Sequence, residues 1–200
     1  MYSPRPLSTP SDAHAVAREF AALLSHVLCV SVSRTPLQCV PVSPSSGDWA
    51  RTEWLVSAGR LSGAPVELTD DTWLLVQHRL GVREKGGCNW LTTLSYSYRW
   101  QATADDGSWI VAWDYERDTD RPFPAHVHVR CAPTLYPDGR PDFAKVHLPS
   151  GRVLLEDVIR FLVIEQKTPP RSNSWEETLS EAARIFRRIQ AERLAADLDE

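Results

Sequence analysis

Residues 91–131 read LTTLSYSYRWQ (91–101), ATADDG (102–107), SWIVAWDYERD (108–118), TDRPFPA (119–125) and HVHVRC (126–131). In the first segment Leu94, Tyr96, Tyr98 and Trp100 alternate with Ser95, Ser97, Arg99 and Gln101. In the third, Trp109, Val111, Trp113 and Tyr115 alternate with Ile110, Ala112, Asp114 and Glu116. A two-residue repeat is the signature of a half-buried strand, and aromatic and β-branched residues suit its pleated surface. Asp105-Asp106-Gly107 supplies the turn between the two, since Asp-Gly tolerates the positive φ of tight hairpins. Pro122 and Pro124 remove backbone donors and end the second strand. A short third strand places His126, His128 and Arg130 on one face, with Val127, Val129 and Cys131 on the other. Every connection is too short for a parallel crossover, so the three strands form an antiparallel meander.

Working outward, Thr52–Ala58 alternates Trp54 and Val56 against Glu53, Leu55 and Ser57 and reads as a strand. Val66 and Leu68 suggest a short extended piece, and TWLLVQHRL (72–80) suits a strand covered on both faces, its length and β-branched content being compatible with a helix too. Residues 33–48 carry Pro36, Pro41 and Pro44 among serines and read as a loop. Gly86-Gly87 invites a phosphate-loop reading, but neither GxxxxGK[ST] nor GxGxxG is present, so a hairpin turn is preferred. Downstream, TLYPDGRP (134–141) is a turn, and Phe143–Leu148 forms a final strand with His147 facing opposite to Val146 and Leu148. The expected fold is α+β: an antiparallel sheet of five or six strands over 52–148, packed against helices.

Three helices flank it. Residues 1–10 read as a disordered tail, after which Ser11 can cap a helix over 12–29 with one apolar stripe from Val16 to Leu28. Leu155, Val158, Ile159 and Leu162 mark a largely buried helix at 154–166, with Glu156 and Asp157 favouring its N-terminal dipole. Residues 11–166 thus make a single α+β domain. Pro169-Pro170 reads as a hinge within 167–200, and Ser174 with Glu177 forms a capping box. The amphipathic C-terminal helix that follows carries Leu179, Ala182, Phe186 and Ile189. It packs back on the domain, or residues 174–196 serve a protein partner or self-association.

The chain has 200 residues, 42% of them apolar, and a formal net charge of −4. That charge gives no global steering toward nucleic acid and no DNA signal. Eight tryptophans suit core filling better than a ligand-stacking platform. Cys29, Cys39, Cys88 and Cys131 form no CxxC pair, which argues against a zinc knuckle. No signal-peptide pattern and no span approaching ~20 apolar residues is visible, so a cytoplasmic setting is expected.

The nucleophile signature GxSxG and the zinc-binding motif HExxH are both absent. What carries chemistry is a polar cluster: Asp114 and Glu116 on one strand, His126, His128 and Arg130 on the next, and Arg99 in the matching phase of the strand before. His-x-His on a strand puts both imidazoles on one side. Two such rings can supply base and acid for phosphodiester cleavage, or bind a metal. His126 and His128 are the proton-transfer candidates, Asp114 or Glu116 would orient one imidazole, and Arg99 or Arg130 would hold phosphate. No cofactor is expected and no metal is assigned, His147 being only a candidate third ligand. The competing interpretation is a hydrogen-bonded sheet face on a non-catalytic interaction module, with the aromatic surface and C-terminal helix binding a partner.

Several of these segments resemble the TumE-like toxins of bacterial toxin–antitoxin pairs. The shared features are Tyr96, Tyr98, Trp100 and Gln101; Trp113 to Glu116; Phe123-Pro124-Ala125-His126-Val127-His128; and Pro149-Ser150 followed by Leu155-Glu156-Asp157-Val158-Ile159. In this chain Val127 separates the two histidines, and Tyr115-Glu116 follows Asp114. The resemblance implies a toxin acting on RNA.

Overall fold

The computed structural model describes residues 13–43, 52–58, 63–85, 88–117, 120, 123–130 and 147–198. The expected tail, the Ser11 cap, the Gly86-Gly87 turn, the 134–141 turn and most of the 143–148 strand lie outside these residues. So does Trp49.

Among the described residues eight strands make one antiparallel sheet: β1 (Gln38–Val42), β2 (Thr52–Ser57), β3 (Val66–Glu67), β4 (Trp73–Lys85), β5 (Cys88–Gln101), β6 (Trp109–Glu116), β7 (Ala125–Val129) and β8 (Leu148–Pro149). Their order is β1-β2-β4-β5-β6-β7-β8, with β3 pairing beside β2 on β4. The α+β class and antiparallel pairing agree with the sequence; the expectation of five or six strands is corrected to eight. The strand missed outright is β1, inside the segment read as a loop. Pro41 argued against pairing there, but β1 is an edge strand that bonds only to β2, with Pro41 opposite Trp54. An edge position tolerates a residue without a donor.

Helices α1 (Ala13–Ser31), α2 (Leu155–Ile164) and α3 (Trp175–Leu198) pack on one face of the sheet. That face presents Val56, Leu74, Val76, Leu80, Tyr96, Tyr98 and Trp113, all buried. These are the apolar phases of β2, β4, β5 and β6, so the period seen in the sequence is what places the core. By length and composition α1 could cross a membrane. Its apolar stripe (Phe20, Leu24, Val27, Leu28) is instead buried in the same core cluster as the sheet. The tryptophans whose side chains are described are buried or half-buried, and Trp54 donates its indole N–H to His14 Nδ1 at 3.0 Å.

Alternation breaks at two places, between β4 and β5 at Arg79/Leu80 and between β5 and β6 at Trp100/Gln101. Trp100 pairs with Val111 but Gln101 pairs with Trp109, a register shift that leaves Ile110 as an extra residue. Such a bulge reverses the phase beyond it. Trp109, assigned by alternation to the face of Val111, instead meets the His128 ring edge-on at 6.5 Å.

The 167–173 segment, read as a hinge, is tied down at several points. Thr168 is buried and donates its hydroxyl to Asp70 Oδ2 at 2.6 Å. Arg171 donates from its backbone to Ser31 O at 2.8 Å and from Nη1 to Ser33 O at 2.7 Å. Beyond it Leu179, Ala182 and Ile185 of α3 are buried in the core, and Phe186 meets Phe20 edge-on at 5.2 Å. Leu179→Ala should therefore cost about 2–5 kcal/mol in urea unfolding, through lost burial and the cavity left behind. A change under about 0.5 kcal/mol, the size expected of a surface substitution, would mean that α3 adds nothing to the core.

Candidate active site

The sheet face away from the helices carries the polar phases of four strands. Register fixes the arrangement: Ser97 pairs with Asp114, Asp114 with His126, and Ala112 with both Arg99 and His128. Because the strands are antiparallel and unbulged here, paired residues share a face, so carboxylate and imidazoles point the same way. A groove of about 410 Å³ results, lined by Gln77, Arg79, Ser97, Arg99, Asp114, Glu116, His126 and His128 among others.

Within it His128 Nε2 lies 3.9 Å from Asp114 Oδ2, close enough for the carboxylate to stabilise a protonated ring. His126 is buried, and its Nδ1 sits 3.1 Å from the Phe123 carbonyl oxygen. A carbonyl only accepts, so Nδ1 carries the proton in that bond and Nε2 keeps its lone pair. The two rings thus sit in different surroundings. Their centroids are 5.0 Å apart and nearly perpendicular. Glu116 lines the same groove one pair further along, where it faces Ser95.

The two arginines separate. Arg99 lines the groove and makes a 3.4 Å ion pair with Asp106, which is exposed. Arg130 leaves the groove: it donates to the Gly107 carbonyl and its guanidinium lies 5.9 Å from the Trp109 ring centroid. Arg79, which the sequence did not single out, is held by Glu53 at 2.6 Å.

His147 joins the two histidines. Pro149 pairs with His126 and Leu148 with Val127, so His147 continues the phase toward His128. Its ring stacks on His126 at 4.6 Å and meets His128 at 4.7 Å.

A family model described as Toxin TumE matches residues 62–168, more than half of the chain. The chain belongs to the TumE toxin family. The match spans β3 to β8 and α2, so the groove lies almost wholly within the TumE region, while α1 and all of α3 lie outside it. No curated protein and no solved structure matches the chain.

The TumE region also contains a second polar feature, on the helix side, which the sequence analysis did not single out. A cavity of about 120 Å³ is lined by His78, Tyr96, Tyr98, Arg152 and Glu156, with Phe20 and Phe186. His78 is buried between the Tyr98 hydroxyl at 2.9 Å and the Thr93 hydroxyl at 3.0 Å. Burial, with Arg152 nearby, pushes its pKa down from 6.5 to about 3, so the ring is neutral. Both carboxylate oxygens of Glu156 are buried without a hydrogen-bond partner among the described residues, and burial raises this carboxyl from 4.5 to about 7. Such a group is a functional candidate on general grounds. Among the described residues, however, the cavity lacks a second carboxylate or a second histidine to share proton transfer.

Proposed function

We propose that the protein is a toxin that cleaves RNA in the groove on the polar face of the sheet. The ribose 2′-hydroxyl attacks the adjacent phosphorus, and the bond to the 5′-oxygen breaks. His126 Nε2 takes the proton of the attacking hydroxyl. His128, held protonated by Asp114, gives a proton to the departing oxygen. The products are a 2′,3′-cyclic phosphate and a 5′-hydroxyl, with the charges balanced by transfer between the two rings. Arg99 can leave its exposed partner Asp106 and hold the phosphate through its planar fork of donors. Glu116 stands at the groove's end, where it can support the imidazole pair.

The observation that carries this reading is the pairing of Asp114 with His128 beside an oppositely disposed His126 in one groove. Family membership supports the toxin class. The experiment is expression of the wild type beside His126→Ala and His128→Ala: growth arrest by the wild type alone is expected. Equal arrest by all three would remove the histidines from the mechanism.

Arg99→Ala should weaken binding of a non-cleavable single-stranded RNA. It should also lower the slope of log affinity against log salt by about 0.7, the effect of neutralising one phosphate fewer on a single strand. Fluorescence anisotropy at several salt concentrations measures both. An unchanged slope would mean that Arg99 does not touch phosphate.

A further inference from the structure

We infer that His126, His128 and His147 form a site for one divalent transition-metal ion of the zinc class, and that its occupation holds the proposed RNA-cleaving pair inactive. The control of cleavage rests on the reaction proposed above; the metal site itself does not.

One nitrogen from each of the three rings lies within 4.8 Å of the other two. Tetrahedral zinc with bonds of about 2.0–2.1 Å needs its nitrogens roughly 3.4 Å apart. Ring movements on the order of 1 Å therefore close the site, and His147, exposed at the start of β8, has room to make them. The outer contact is already present. A metal-bound histidine normally donates its other ring N–H to a carbonyl or carboxylate, which fixes the tautomer. His126 does this to the Phe123 carbonyl, leaving Nε2 directed to the ion. Asp114 beside His128 supplies compensating negative charge. An all-imidazole set selects zinc, copper or nickel over magnesium or calcium, which take oxygen ligands.

Occupation has a consequence for the chemistry. An ion on His126 takes the lone pair that accepts the 2′-hydroxyl proton, and an ion on His128 displaces the proton destined for the leaving group. His147 has no part in proton transfer, so it separates the two functions.

The test uses full-length, tag-free protein stripped with a chelator and dialysed. Isothermal titration and elemental analysis should find one zinc per chain, with magnesium giving no heat. His147→Ala should bind zinc at least about tenfold more weakly, a ligand's loss being no smaller than that of its supporting partner. Zinc should slow RNA cleavage by the wild type, and the inhibition curve of His147→Ala should move to higher zinc by the same factor. Absence of bound zinc, or equal binding by wild type and variant, overturns the site. Zinc bound one to one with cleavage unaffected overturns the control. If neither form cleaves RNA, the reaction and its control both fall, while one-to-one binding weakened in His147→Ala leaves the metal site standing.

Discussion

Glu156→Gln is expected to stabilise the protein by about 3 kcal/mol at pH 8 and to leave it nearly unchanged at pH 4. Glu156 is 2% exposed, on the first turn of α2, and neither of its carboxylate oxygens has a hydrogen-bond partner among the described residues. Burial raises its pKa from 4.5 to about 7; the nearness of its own backbone N–H and the charge of Arg160 offset this in part, while Asp157 adds to it. Between those two values the native protein keeps a proton that the unfolded chain has released. Stability from this group is therefore complete below about pH 4.5 and lost as pH rises through about 7. The amide carries no charge to bury, so it removes the loss.

His78 works in the opposite direction. Its pKa is lowered from 6.5 to about 3 by burial first and Arg152 second, so stability is present above about pH 6.5 and lost as pH falls toward 3. Between about pH 4.5 and 6.5 the two slopes offset one another in the wild type. In Glu156→Gln the slope of His78 stands alone, and stability should rise steadily from acid to neutral pH. Urea unfolding at pH 4, 5.5 and 8 measures the whole pattern. A variant less stable than the wild type at pH 8 would mean that the ionised carboxylate has a favourable partner in the native protein.

The second large effect lies in the groove. His126→Ala and His128→Ala should each slow RNA cleavage by about 10²–10⁴-fold, the usual worth of a positioned acid or base. The double variant should lose little more, because the two rings act in one proton transfer sequence. Asp114→Asn should slow cleavage as well, since its carboxylate lies 3.9 Å from His128 Nε2. Thermal melts of each variant separate a loss of chemistry from a loss of fold.

Much of this geometry was legible because it depends on period and on short connections. The alternation in 94–101 and 111–116 fixed the faces, and the two-proline loop forced β6 and β7 side by side, which put Asp114 opposite His126. What the sequence obscured has physical causes. Pro41 masked β1, since a single chain does not reveal which strand will lie at an edge. The bulge between Trp100 and Gln101 turned Trp109 toward His128, and no residue pattern announces a bulge of this kind. His147 carried the right phase but met the other histidines only through pairing across a long intervening segment. Glu156 looked like a dipole-favouring residue at a helix start. Its burial comes from the way α2 lies over Tyr98, a tertiary fact. Arg130 followed the correct strand phase, yet the nearby hairpin offered Gly107 and Trp109 as closer partners than the groove.

The most direct measurement is incubation of purified, chelator-treated protein with a single-stranded RNA at pH 6 to 8, with fragment ends identified by mass spectrometry. The groove predicts fragments ending in 2′,3′-cyclic phosphate from the wild type, and their loss in His126→Ala and His128→Ala. Intact RNA with the wild type, or the same fragments from all three proteins, would contradict it.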